Sequence, residues 1–169
     1  MSHSLVYFGH ETLHKPAKEV KNINQEIIDL IDIMYDIMYK NSGVGLAGPQ
    51  INEPSKIITL DIKSLKFGRM SIINPEIVFK SDKLVPYEEG CLSFPGLVAE
   101  IMRPAKITVK GFTSDEKEIL LEAEGLLARV LQHEIDHVNG IVFIDYLDEH
   151  IKKQLRPELK IIKKLNKSN

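Results

Sequence analysis

Gln132-His133-Glu134-Ile135-Asp136-His137 decides how the rest of the chain is read, because two histidines stand four residues apart with a glutamate directly after the first. On an α-helix four residues advance the chain by about 6 Å and little more than one turn, so both imidazoles leave nearly the same face and reach one ion. Glu134 then lies about 100° round the helix from His133, off the ligand line but close enough to hydrogen-bond a water beside the metal. The plainer alternative is a helix holding one satisfied and one solvated histidine. The surroundings favour the metal reading. A helical pattern begins near Gly125 and stops at Asn139-Gly140, and its apolar residues Leu126, Leu127, Val130, Leu131, Ile135 and Val138 lie on more than one face. Such a helix packs in the interior, where neighbours hold imidazoles rigidly.

Outward from this central helix, residues 24–40 place Ile27, Leu30, Ile31, Met34, Ile37 and Met38 on one face of a long N-terminal helix. Asn22 with Gln25 is expected to cap its start, and Asn41-Ser42-Gly43 ends it. Met34 and Met38 read as core packing. From 56 to 122 the pattern changes to short β-branched runs, with strands expected at 56–61, 70–73, 76–79, 84–88, 106–112 and 118–122. Thr113-Ser114-Asp115-Glu116 reads as a hairpin turn, and prolines 75, 86, 95 and 104 fit strand ends or edges. No long helical segment separates these runs, which argues for antiparallel pairing. Residues 5–21 read as irregular with one short helical turn, and His10 and His14 within them as solvated. After an extended run at 141–144, residues 147–164 form a terminal helix. Beyond residue 150 the chain carries seven Lys/Arg against the single acid Glu158, a solvated cationic face or else a docking surface for RNA or another partner. The expected fold is therefore α+β: antiparallel β-sheets packed around a central buried helix carrying H-E-x-x-H, flanked by a long N-terminal and a C-terminal helix.

The 169 residues, 43% apolar and 27% charged, suit one compact domain spanning residues 1–169. A net charge of −2 and a pI near 6.3 give no global reason to bind DNA or anionic membrane. No apolar run approaches the ~18 residues of a membrane span, and no signal-like start is present, so a cytoplasmic protein is expected. The single cysteine, Cys91, excludes an internal disulfide and leaves three roles: buried apolar residue, nucleophile or metal ligand.

A catalytic site of this type needs three protein ligands and one open position. Gly140 begins the extended H-E-x-x-H-x-x-G-x-x-H pattern, but Phe143 occupies the place of the last histidine. Glu158 could serve as a downstream acidic ligand, although Arg156-Pro157-Glu158 sits in a basic tail. Cys91, within Glu88-Glu89-Gly90-Cys91-Leu92-Ser93, offers a thiolate in a glycine-flanked segment. A thiolate with two imidazoles suits iron(II), zinc, cobalt or nickel. Gly43-Val44-Gly45-Leu46-Ala47-Gly48-Pro49-Gln50 matches neither a phosphate loop nor dinucleotide spacing; its glycines let backbone approach a ligand, and Gln50 presents an amide.

Taken together, the segments 43–50, 89–93 and 132–137 resemble, in order and separation, the three motifs of peptide deformylases, and Ile73-Asn74-Pro75-Glu76-Ile77 and Asp145-Tyr146-Leu147 resemble that family's connecting segments. The resemblance covers nearly the whole chain. It implies removal of the formyl group from N-formylmethionyl nascent peptides, with a divalent metal, foremost Fe(2+) with Zn(2+), Ni(2+) or Co(2+) as replacements, on Cys91, His133 and His137. It implies that Glu134 takes the proton of the attacking water and passes it to the departing amine. The oxyanion would be held by the Gln50 amide and the Leu92 N–H. It places a methionine pocket on Val44, Leu126, Val130 and the His133 ring, backbone binding at Gly45, and a transient ribosome contact on the basic C-terminal helix. Gly48 stands where alanine is common, Val138 where leucine is, and Leu97-Val98 where some members carry an arginine or aromatic residue that helps hold substrate. Asp136 and Arg103 stand as supporting groups or a plain structural pair. Two rivals remain, a metallo-endopeptidase with another third ligand and a protein whose metal is structural.

Overall fold

The computed structural model describes residues 2–168. A 3-10 turn (Glu11–His14) precedes α1 (Gln25–Lys40), β1 (Gly45–Ala47), a second 3-10 turn (Gly48–Ile51) and β2 (Ile57–Leu60). Then follow β3 (Met70–Lys80), β4 (Leu84–Gly90), β5 (Val98–Pro104), β6 (Lys106–Phe112), β7 (Glu118–Glu124), α2 (Gly125–Val138), α3 (Glu149–Lys164) and a last turn, Leu165–Ser168. The strands form a five-stranded sheet in the order β1-β2-β3-β6-β7 and a separate β4-β5 ribbon. Every pairing between these strands is antiparallel, which gives the expected α+β class.

The run Ile57-Ile58-Thr59-Leu60 is buried throughout because β2 is covered on both faces. Alternation turns Ile57 toward α1, where it packs with Met34, Met38 and Leu46, and turns Ile58 and Leu60 toward α2, where they meet Leu131, Ile135 and Val138. A third cluster joins the N-terminal segment through Val6 and Leu13, the loop before β5 through Phe94, and α3 through Leu159 and Ile162. The imidazole-bearing α2 thus packs on the sheet through Leu131, Ile135 and Val138, and its His133 ring lies 5.9 Å from the Phe143 ring of the third cluster, with His133 and His137 both buried.

Several elements depart from expectation for identifiable reasons. Asn24, not Asn22, caps α1 and accepts from Ile27 N. The runs at 70–73 and 76–79 form one strand, since Asn74 takes a left-handed φ of 52° and the register shifts there without ending the pairing. The Asn74 carboxamide is then satisfied by Val20 N–H and C=O at 2.8 and 2.9 Å. The glycine-rich stretch holds a strand, β1, held by pairing of Gly45, Leu46 and Ala47 to β2. β5 is an added strand, and the run expected at 141–144 is extended at Val142 but passes at Phe143–Tyr146 into a 3-10 turn in which Asp145 accepts from Val142 N. Thr113 does close the β6–β7 hairpin, with Glu116 at φ 63°.

Candidate metal centre and active site

Spacing on α2 does what helical geometry requires. His133 and His137 meet edge to face with ring centroids 5.0 Å apart. Gly90 ends β4 beside them, and the chain leaving it brings Cys91 Sγ to 3.3 Å from His137 Nε2. The ligand atoms of Cys91, His133 and His137 all lie within 4.8 Å of one another. One sulfur and two nitrogens at such separations fit a four-coordinate divalent ion with one position left for solvent or substrate. Burial, aided by the positive charge of Arg103, holds His137 well below the usual imidazole range, in the neutral form that can coordinate.

A buried ionic cluster sets the orientation of His133. Glu89 Oε1 accepts from His133 Nδ1 at 2.9 Å, which leaves Nε2 available to coordinate a metal. The same carboxylate accepts from Arg103 at 2.7 and 3.0 Å and from Arg129 at 2.7 Å. Against burial, which alone would raise it, His133, Arg103 and Arg129 hold the Glu89 carboxyl down to about 2. Arg129 also donates to the Ile101 and Val85 carbonyls, and Arg103 reaches Asp136, which also accepts from Tyr146 O–H. The ribbon makes this possible: Glu89 faces Ala99 and Val85 faces Arg103 in the β4–β5 register, so Glu89 and Arg103 share one face. Arg103 is thus joined to His133 through Glu89, and Asp136 to the same cluster through Arg103. Sequence reading missed Glu89, Arg129 and Tyr146; the signal for Arg129 is its place four residues before His133, on the same helical face.

Replacing Glu89 by glutamine leaves Arg129 with no carboxylate partner, and an uncompensated buried charge costs about 3 kcal/mol or more. Urea unfolding of the metal-free protein near neutral pH is expected to show that loss. The carboxyl is lowered from 4.5 to about 2 on folding, so its contribution is complete above 4.5 and disappears as pH falls toward 2. The difference between wild type and Glu89→Gln therefore shrinks over that interval.

Glu134 lies beside the ligands and is 4% exposed, with Oε2 buried and without a hydrogen-bond partner among the described residues. Burial, reinforced by the charge of Glu89 and opposed by His133, pushes its carboxyl up to about 7. Gly45 makes room for it: a Cβ there would come within 2.7 Å of Glu134 Oε1. Gly45→Ala is therefore expected to displace the carboxylate and reduce kcat by about tenfold with metal content intact, read by steady-state kinetics beside metal analysis. Gln50 is 1% exposed; its Oε1 accepts from Ala47 N at 2.9 Å, which directs Nε2 toward Cys91 Sγ at 3.4 Å and Ser93 Oγ at 3.3 Å. One cavity of about 750 Å³ is lined by Val44, Gly45, Gln50, Cys91, Leu92, Leu126, Val130, His133 and Glu134. His137 alone of the expected site residues lies off its surface, and Glu158 is exposed on α3.

Comparison with known proteins agrees with this geometry. Residues 2–153 match the family model described as polypeptide deformylase. The chain is 41% identical to a peptide deformylase of Brachyspira hyodysenteriae over 165 residues, 95% of this chain and 88% of that one. It is 46% identical to one from Natranaerobius thermophilus over 142 residues, 84% and 90% of the two chains. The crystal structure of a peptide deformylase from Legionella pneumophila superposes with a TM-score of 0.90 at 38% identity, covering 100% of this chain and 99% of that one. A family model across most of the sequence and relatives alike along nearly its whole length place the chain in the polypeptide deformylase family, hydrolases that remove the N-terminal formyl group from newly made polypeptides.

Proposed function

We propose that Cys91, His133 and His137 hold one divalent ion, foremost iron(II), with zinc, nickel or cobalt as replacements, and that Glu134 and Gln50 carry out formyl hydrolysis beside it. The observation that carries this reading is the convergence of one thiol and two imidazoles within 4.8 Å, with the buried Glu134 next to His133. When bound, the ion supplies Lewis-acid activation of water and of the formyl oxygen. Glu134 accepts the proton from the attacking water as its oxygen bonds to the formyl carbon. As the carbon–nitrogen bond breaks, the same carboxyl returns the proton to the methionyl nitrogen, and formate leaves. A carboxyl raised to about 7 suits both directions at neutral pH. The Gln50 Nε2 donor, fixed through its Oε1 by Ala47, is aimed at the thiolate side of the site, where with the Leu92 N–H it stabilises charge growing on the formyl oxygen.

Val44, Leu126, Val130 and the His133 ring form an apolar lining for the methionine side chain. Gly45, on the sheet-edge strand β1, supports extended pairing with the peptide backbone. Burial of most of α2 against the sheet supports its role as the central helix of a single catalytic domain over residues 1–169. Among the described residues no helix is long and apolar enough to cross a membrane, and a cytoplasmic setting follows from the nascent-chain substrate. The exposed cations of α3 are proposed to touch the ribosome transiently.

Protein prepared without oxygen is expected to carry one metal ion per chain and to release formate from formyl-Met-Ala. Loss of that activity on chelation and its return on adding iron(II) support the reading. A metal-replete protein that releases no formate overturns it.

A further inference from the structure

The cavity that holds Cys91 and Glu134 is also lined by Tyr7 and Leu165, one from each end of the chain. The methionine lining comes from α2 and the segment before β1, so these terminal residues lie outside it, while a substrate peptide necessarily continues past its first residue. We propose that Tyr7 and Leu165 form a subsite for an apolar side chain downstream of the formyl-methionine, and that Asn166 is the positioning residue that holds this wall in place. This rests on the deformylase reading above.

The N-terminal segment behaves as a short strand stitched on both edges. On one edge Val6 N donates to Gln50 O at 2.8 Å and Phe8 N donates to Ser93 O at 3.0 Å, so it spans the two segments that supply Gln50 and Cys91. Alternation turns the polar groups of Tyr7 to the opposite edge. There Asn166 stands in for a neighbouring strand: its Oδ1 accepts from Tyr7 N at 2.8 Å and its Nδ2 donates to Tyr7 O and Phe8 O, each at 3.0 Å. Gly9, at φ +92°, lets the C-terminal end come this close, since a Cβ there would sit 2.6 Å from the Lys163 stem. Leu165, fixed between Lys163 and Asn166, remains 37% exposed at the cavity. Leu92 lines the same cavity and the fully buried Phe94 backs it, so this wall is apolar and selects an apolar side chain.

The test uses formyl-Met-Ala-Ala-Ala with leucine or serine placed in turn at the second, third and fourth residues, and formyl-Met-Ala as the reference. At one position wild type is expected to favour leucine about tenfold in kcat/KM, the low end for an apolar contact in a pocket, through KM rather than kcat. Leu165→Asn and Asn166→Ala are expected to bring that ratio near one, and Leu165→Met to retain most of it. A ratio is insensitive to a general loss of folded enzyme, so merely structural damage does not mimic the effect. Absence of any leucine preference, or a preference unchanged in Leu165→Asn, overturns the subsite while hydrolysis of formyl-Met-Ala leaves the deformylase reading standing. Failure on formyl-Met-Ala itself overturns both.

Discussion

Replacing Glu134 by glutamine is expected to lower kcat for formyl-Met-Ala by roughly 10²- to 10⁴-fold, the range that a positioned general acid–base contributes, while metal content stays at one ion per chain. Glutamine matches the shape of the carboxylate but neither takes a proton from water nor returns one to the amine. The buried environment amplifies the difference, because Glu134 is 4% exposed and bulk water cannot readily substitute for its Oε2, which has no hydrogen-bond partner among the described residues. Its neighbour Glu89 cannot take over, since that carboxylate is committed to His133, Arg103 and Arg129 and held down to about 2. KM is expected to change little, the proton transfer belonging to the transition state rather than to ground-state binding. Full activity in a metal-replete Glu134→Gln variant would instead favour a structural metal.

Cys91→Ser is expected to weaken metal binding by more than about 100-fold, beyond the effect of losing an outer hydrogen-bond partner, and to abolish activity at stoichiometric metal. The hydroxyl keeps its proton where the thiol gives it up, so the site loses both a soft donor and a negative charge. Competition against a chelator measures the change. Neither Glu158, exposed on α3, nor Phe143, fully buried beside the His133 ring, can replace the sulfur. The comparison separates this site from a zinc endopeptidase with an acidic third ligand, in which the serine variant would keep its metal and internal peptide bonds would be cleaved.

How far the sequence revealed these features depended on whether the deciding interactions were local. The β6–β7 hairpin was legible because Thr113 to Glu116 carry their own turn chemistry and the flanking runs are β-branched. β1 was not, because Gly45-Leu46-Ala47 becomes a strand only through pairing with Leu60, Thr59 and Ile58, and three small or flexible residues carry no period. The break inferred at Asn74-Pro75 was a bulge, since a proline lacking N–H interrupts one bond while the chain on either side keeps its partners. The site followed the same division. His133, Glu134 and His137 announce themselves by spacing on one helix, and Cys91 and Gln50 through short motifs. Glu89 looked like one of two ordinary acids before the cysteine. Only the ribbon register, which turns Glu89 inward with Arg103, brings it to His133 and Arg129 and makes it the charge on which the site rests.

The most direct measurement is X-ray absorption at the metal edge of anaerobically prepared protein. One sulfur scatterer at about 2.3 Å with light N/O scatterers near 2.0–2.1 Å is expected, the distances of thiolate and imidazole ligands on a divalent ion. The sulfur shell should vanish in Cys91→Ser. A spectrum of wild type with no sulfur at bonding distance would contradict a centre built on Cys91, His133 and His137.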